Sequence, residues 1–359
     1  MADQPKSAEH RASLDATTTS GDVRPEESKA PAPWTADILT APDRWRLDLT
    51  AAHLDELSSA LRLVRQHGIP LLRLSREQFP LPTLAADLHL LADILEHGCG
   101  FTVIKGLPVQ RYSESDLKTI FWGLAQHLGL PVSQDVGGHL ITTIGPAGEE
   151  PHGAGPAVPH SSQHLRFRTG GSDAVALLCG FGGGRRSVAG SAAIYNTIRR
   201  QRPELIDRMY RPFSFDRRGE HAPEELPSVP LACWFAGRLS IRYERAQLES
   251  AQRFPQVPRL EPLDIELFDL IDALAHSPEL RVDLDIEAGD IELYNNYSVL
   301  HTPLHPAGPD RARVGAQYRL WLTLRAGRPL PPEYVWESRP PGERWGRGGV
   351  SPRDVIART

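Results

Sequence analysis

The sequence predicts a mixed fold of β-strands with helices, a barrel or jelly roll that carries helical insertions. Three observations predict it. The first third of the chain reads as amphipathic helices with recognisable caps. Most of the remainder reads as short apolar runs of strand length. Strands and helices do not alternate regularly, as a parallel Rossmann sheet would require.

Residues 1–33 are rich in Ala, Ser, Thr, Glu, Lys and Pro and hold almost no large apolar side chain, so they are expected to stay disordered, with order beginning near Trp34. Thr50 is placed to cap a helix whose Leu54, Leu57, Leu61 and Val64 share one face, ended by Gly68 and Pro70. Thr83 is placed to cap a second, with Leu84, Leu88, Leu91 and Leu95 in helical register. "GFTVIKGLPV" then reads as a strand and turn. Ser113 and Asp116 form a capping-box pattern ahead of Leu117, Ile120, Leu124 and Leu128, with Gly129 as the stop.

Beyond that point the signal is mostly β. "DAVALLC" is a nearly continuous apolar strand, "LACWFAG" and "RLSIRY" pair as a hairpin, "LDIEAGDIELYNN" gives two strands around a Gly-Asp turn, and "QYRLWLTL" is a last long strand. Helical patterns interrupt at 191–200, 203–210 and 262–276. "GFGGGRR" is Gly-rich, but it lacks the Gly-x-Gly-x-x-Gly placement and the P-loop lysine of phosphate-binding loops.

Composition narrows the class. Across 359 residues, 40% are hydrophobic and 24% charged, ordinary for a globule with a real core. The net charge of −5 gives no nucleic-acid-binding surface. Only four lysines occur, so nearly all positive charge is arginine. Cys99, Cys179 and Cys233 are odd in number and widely spaced, which supports neither a disulfide framework nor a zinc knuckle. Buried thiols in a reducing compartment are the expectation. No apolar run reaches membrane-spanning length and no hydrophobic signal core opens the chain, so a cytoplasmic protein without membrane contact is expected.

The segments "REQFPLPTL", "GCGFTVIKGLPV", "WGLAQHLGLPVSQD", "DAVALLC", "SAAIYN", "RPELIDRMYRPFSFDRRGE", "GDIELYNNYSVLH" and "YRLWL" occur in the order found in one family. From about Trp34 to about Val350 the chain resembles the taurine-dioxygenase-like (TauD/TfdA) group of Fe(II)/2-oxoglutarate-dependent oxygenases. The resemblance implies a double-stranded β-helix, or jelly-roll, core with flanking helices. It implies a single domain over 34–359, with a helical part over about 34–130, a jelly-roll core over about 131–330 and a C-terminal extension.

The same resemblance sets up the site. Those oxygenases hold iron with two His and one carboxylate, leaving positions open for 2-oxoglutarate and oxygen. The distal His corresponds to His301 and the arginine that grips the co-substrate to Arg319. The His-x-Asp pair, however, falls on Arg168 and Gly170, in "LRFRTGGSDAVALLCG". The co-substrate hydroxyl falls on Arg186, and the Arg common after the distal His is Pro303.

Arg168 has no lone pair for a metal. A fixed cation about 4 Å from a dication is repelled by several kcal/mol even at an effective dielectric near 20. Arg168 therefore either plugs the site beside a carboxylate or binds an anionic group. Gly170 alone would match iron halogenases of this fold, but that chemistry needs the neighbouring His. His301 is open to a general acid–base role or a structural one, and Arg319 to a ligand carboxylate or a buried ion pair. Three inward arginines would need an anionic ligand or acidic partners, for which Asp135, Asp290 and Glu292 are candidates. "HSSQH" and "HTPLH" offer a relocated metal trio of His164, His301 and His305, although Pro303 and Pro306 oppose helical spacing at the second pair.

The leading expectation is an iron-independent tailoring enzyme acting on an anionic small molecule, with Arg168, Arg186 and Arg319 as binders and His301 as the proton-transfer group. The alternatives are a non-catalytic ligand-binding pseudo-oxygenase and an oxygenase with relocated ligands. Fe(II) and 2-oxoglutarate enter only in the last, and no other cofactor is expected.

Overall fold

Local capping places the first helices. In a computed structural model that describes residues 27–145, 165–217, 226–306, 316–334 and 347–350, β1 (Arg46–Asp48) leads into α1 (Ala51–Gln66), where the Thr50 side chain accepts from the His53 amide. The start of α2 (Leu84–His97) differs from expectation. Thr83 makes no side-chain cap; instead the Glu56 carboxylate of α1 accepts from the Thr83 and Leu84 amides at 2.9 and 3.1 Å. An anion at a helix N-terminus satisfies amides that have no intrahelical partner. After β2 (Phe101–Lys105), the expected Ser113–Asp116 capping box opens α3 (Glu114–Leu128).

The chain then lays down β3 (Gly129–Val132), β4 (Ile141–Ile144), β5 (Ala174–Cys179) and β6 (Gly183–Gly190). An insertion follows: α4 (Ser191–Gln201), α5 (Ile206–Met209), the pair β7 (Pro212–Ser214) and β8 (Ser228–Pro230), and the hairpin of β9 (Ala232–Phe235) and β10 (Arg238–Ile241). It ends with α6 (Arg245–Ala251) and α7 (Pro262–His276). β11 (Arg281–Glu287), β12 (Ile291–Asn295), β13 (Val299–His301) and β14 (Gln317–Leu324) complete the barrel.

The major sheet runs β1-β2-β12-β5-β14-β3, with β4 also on β14, and the minor sheet runs β11-β6-β13. The two strands around the Gly289–Asp290 turn are thus not a hairpin. β11 pairs with β6 while β12 pairs with β2 and β5, so the chain crosses between sheets there. Gly289 has φ +96°, and a Cβ on it would stand 2.0 Å from the Leu107 carbonyl oxygen, so the crossover needs glycine. "GFGGGRR", read above only as Gly-rich, leads into β6, the central strand of the minor sheet.

Side-chain alternation sorts three cores. Ala176, Leu178, Ile291, Leu293, Leu320 and Leu322 face outward from the major sheet onto α1, α2 and α3. Val103, Val175, Leu177, Val188, Leu284 and Tyr294 fill the space between the sheets. Ala189 and Leu300 join a core with α4 and α7 behind the minor sheet.

One expected boundary moves. Order begins before Trp34: Ser28 is buried, its amide bonds Asn196 Oδ1 at 2.7 Å, and Leu239 donates to the Ala30 carbonyl at 2.8 Å. The rest of the expected tail, residues 1–26, lies outside the described residues. Within 34–130 the strand expected at "GFTVIKGLPV" is β2, and it joins β1 in the major sheet. No helix among the described residues is long and apolar enough to cross a membrane.

Candidate functional site

Backbone pairing fixes the centre of the site. Residues 165–169 run beside β13, and Arg168 and His301 form an antiparallel bridge, with N···O distances of 3.0 and 2.9 Å. Directly opposed residues project to the same face. His301 is also opposite Val188 on β6, whose side chain lies between the sheets, so Arg168, His301 and, two residues from Val188, Arg186 share the inner face. From the major sheet, Arg319 stands in register with Leu177, and Leu177 with Glu292. Gln317 and Trp321 flank Arg319 on the same inner row.

His301 is buried, and its ring stacks on Tyr294 with centroids 4.8 Å apart and planes 12° apart. Its Nδ1 has no hydrogen-bond partner. Burial, reinforced by the charges of Arg186, Arg168 and Arg319, holds its pKa well below the usual histidine range. The imidazole is therefore neutral at physiological pH and is a poor proton donor there.

The Arg186 guanidinium is engaged by protein partners. Its Nε donates to Glu292 Oε2 at 2.5 Å, and its other nitrogens donate to the Thr302 carbonyl at 2.6 Å and Gln317 Oε1 at 3.0 Å. Glu292 also accepts from Tyr294 Oη at 2.5 Å and Gln317 Nε2 at 3.1 Å. The pairing has a direct physical reason: both ions are buried, so each requires the other. Glu292 is the acidic partner among the three considered. Asp290 instead pairs with Lys105 at 2.6 Å, and Asp135 with His139 at 2.9 Å.

Arg319 donates from Nε to Gln134 Oε1 at 2.6 Å, and Gln134 is itself held by the Arg319 and Leu140 carbonyls. The Arg168 side chain is 39% exposed, and its Nε lies 3.7 Å from Glu244 Oε2. That is a loose contact near the limit of an ion pair, and the Arg168 guanidinium remains open to solvent.

Gly170 donates its amide to Asn296 Oδ1 at 2.8 Å, and the Asn296 amide group donates to the Ser172 carbonyl at 3.0 Å. A Cβ on Gly170 would stand 2.7 Å from Asn296 Nδ2 and 2.9 Å from Oδ1, so a carboxylate side chain there requires Asn296 to shift.

These residues do not fit an iron centre. Of the three positions that the sequence resemblance aligns with metal ligands, Arg168, Gly170 and His301, only His301 carries a donor, and no group of three or more His, Cys, Asp or Glu among the described residues is placed to hold a metal. His164, expected in a relocated site with His301 and His305, lies outside the described residues. His305 bridges Arg185 in the minor sheet, and its Nδ1 faces the Pro303 carbonyl at 3.4 Å.

Gln134, Glu244, Asn296 and Trp321 were not singled out as site residues from sequence. Gln134, Asn296 and Trp321 lie within or beside the quoted family segments, whereas Glu244 sits in a loop without any pattern.

A sequence model of the "Taurine catabolism dioxygenase TauD, TfdA family" matches residues 44–316. The chain is 26% identical over 310 residues to the FR-33289 synthase of Streptomyces rubellomurinus, covering 83% of this chain and 91% of that one. It is 27% identical over 294 residues to the taurine hydroxylase-like protein SAT17 of Stachybotrys chartarum, covering 78% and 76%. Among solved structures it resembles asparagine oxygenase in complex with Fe(II), hydroxyasparagine and succinate, with TM-score 0.56 and 13% identity over 78% of this chain and 94% of that one. It also resembles the non-heme iron oxygenase OrfP in complex with Fe, succinate and hydroxyarginine, with TM-score 0.55 and 18% identity over 77% and 94%. At those identities the likeness is one of fold.

Proposed function

The chain belongs to the taurine catabolism dioxygenase TauD, TfdA family, and on that premise we propose that it has left ordinary Fe(II)/2-oxoglutarate hydroxylation and holds an anionic small molecule at the barrel mouth. One observation carries the proposal: Arg168, a permanent cation, stands opposite His301 across a β-bridge, and the sequence resemblance aligns Arg168 with a metal ligand of the family. Arg168 is the first binder and Arg319 the second. His301 offers a neutral hydrogen-bonding nitrogen, and its orphaned Nδ1 is a buried polar atom whose satisfaction favours a bound ligand.

A fixed positive charge held beside a bound substrate stabilises a developing oxyanion or enolate. Such a site suits a non-redox tailoring step, such as cyclisation, elimination, decarboxylation or hydrolysis. The name of one relative, a synthase, supports a biosynthetic setting.

The test is direct. The purified chain is assayed for bound metal and for 2-oxoglutarate turnover with added Fe(II). Sub-stoichiometric iron and no turnover are expected; stoichiometric iron with turnover would overturn the proposal.

The depressed pKa of His301 favours a second reading, a ligand-binding protein without catalysis, because it leaves no good proton donor at that position near neutral pH. Replacing His301 by Ala in the producing cell separates the two. Loss of product supports catalysis, and unchanged product supports binding alone.

A further inference from the structure

Residues 347–350 lie across Ser133 at the end of β3, Gly171 and Asp173 ahead of β5, and Thr323 of β14. Arg347 Nε donates to Asp173 Oδ1 at 2.8 Å, and Thr323 Oγ1 donates to the Arg347 carbonyl at 2.6 Å. The Gly349 amide donates to the Gly171 carbonyl at 2.9 Å and the Val350 amide to the Ser133 carbonyl at 2.9 Å. Arg217 donates to the Gly349 carbonyl at 3.3 Å. Asp173 also accepts from the Leu324 amide at 3.1 Å and Tyr297 Oη at 3.2 Å, and its side chain is only 2% exposed. A carboxylate so buried needs its counterion.

The backbone is shaped for this seat. Gly348 and Gly349 have φ of +81° and +82°, and a Cβ on Gly349 would stand 2.7 Å from the Ser133 carbonyl oxygen. Two consecutive left-handed residues against a neighbouring backbone require glycine. The seat borders the candidate site. A Cβ on Gly171 would stand 3.0 Å from Arg217 Nη2 and 3.1 Å from the Trp321 ring, and the Arg319 guanidinium lies 5.4 Å from that ring's centroid. The segment, Gly171, Arg217 and Trp321 thus form one wall, next to Gly170 and Arg168.

We propose that residues 347–350 are a strap latched over the mouth by the Arg347–Asp173 ion pair, and that its release admits the anionic ligand. What is admitted rests on the function proposed above; the latch does not. Among the described residues the strap is held by one ion pair and a few hydrogen bonds, without a sheet ladder of its own, the mark of a low-stability element on a stable scaffold. An anion reaching for Arg217 competes with the Gly349 carbonyl, which couples binding to opening.

Hydrogen exchange on the full chain tests the latch. In the wild type the Gly349 and Val350 amides are protected, and in Arg347→Gln they exchange at least about tenfold faster while β14 and β5 keep their protection. Gly349→Ala, which leaves the ion pair but removes the room, gives the same result. Unprotected amides in the wild type, or unchanged protection in both variants, overturn the latch.

Iodide quenching of Trp321, taken as the difference from Trp321→Phe, tests the gate. Arg347→Gln raises the quenching constant about threefold, because the opened wall exposes the ring beside fixed cations. Lost amide protection without increased quenching overturns the gate. Failure of the ligand proposal reads differently: both measurements come out as expected, yet succinate gives Trp321 no protection from iodide.

Discussion

Arg168 and His301 exchange both backbone hydrogen bonds across an antiparallel bridge, so a guanidinium and an imidazole leave the sheet side by side. In such a pair the Cα atoms are about 5.5 Å apart. The two side chains start from neighbouring points on one face, and Arg168 carries its charge to within 3.7 Å of Glu244 Oε2.

Rebuilding an iron site takes more than the two missing ligands. Arg168→His with Gly170→Asp supplies the donors, but the new Cβ meets Asn296 at 2.7 Å, and Asn296 is pinned by Gly170 and Ser172. Adding Asn296→Ala clears the space. Titration with Fe(II) under anaerobic conditions is expected to show affinity at least about tenfold higher in the triple variant than in the double, the factor that corresponds to about 1.4 kcal/mol. Equal affinity would mean that Asn296 yields freely.

Arg186 belongs to the frame. Glu292→Ala leaves its guanidinium buried without a counterion and is expected to cost about 3–5 kcal/mol in urea unfolding, whereas Arg186→Met with Glu292→Leu recovers most of that loss. A single variant as stable as the wild type would return Arg186 to the ligand-binding set.

The α3 cap gives an acid-side prediction. Burial alone would raise the pKa of Asp116, but hydrogen bonds from Ser113 and Arg65, with the charge of Arg65, outweigh it and hold the carboxylate below its usual range. A depressed folded pKa contributes stability that is present above the unfolded value, near 3.9, and is lost as pH falls through the folded one. Asp116→Asn is expected to flatten the loss of stability below about pH 4. Ser113→Ala, which removes the cap itself, is expected to cost about 1 kcal/mol at neutral pH.

Thiol chemistry is expected to be slow. Burial pushes the Cys99 thiol up to about 11, and burial with the nearby Glu292 and Asp290 carboxylates pushes Cys179 up to about 12. Neither forms appreciable thiolate near neutrality. Ellman's reagent at pH 8 is expected to leave both untouched in the native chain and to titrate them in denaturant. Modification of Cys179 before unfolding would show that the barrel interior opens.

Sequence patterns carried the local decisions well. Thr50 and Ser113 announce their helices because a cap is made within a few residues of itself. The start of α2 was misassigned to the Thr83 side chain because its capping anion, Glu56, comes from another helix. β6 was missed as a strand because Gly183 and Gly184 read as a loop. Each sits there because a backbone carbonyl, of Ile286 or His305, would lie 2.5 Å from any Cβ. The substitutions at 168 and 170 were visible in the sequence, and the ion pair of Arg186 was foreseen only as one of three possible acidic partners. Glu244 and the strap at 347–350 had no such signal, since both reach the mouth from distant loops.

The positive charge opposite His301 has one further property: it is covalently part of the chain. A chelator cannot strip it, oxygen cannot change its valence, and no maturation step has to insert it. The charge at this position is complete when the polypeptide folds, in iron-starved cells as in iron-replete ones.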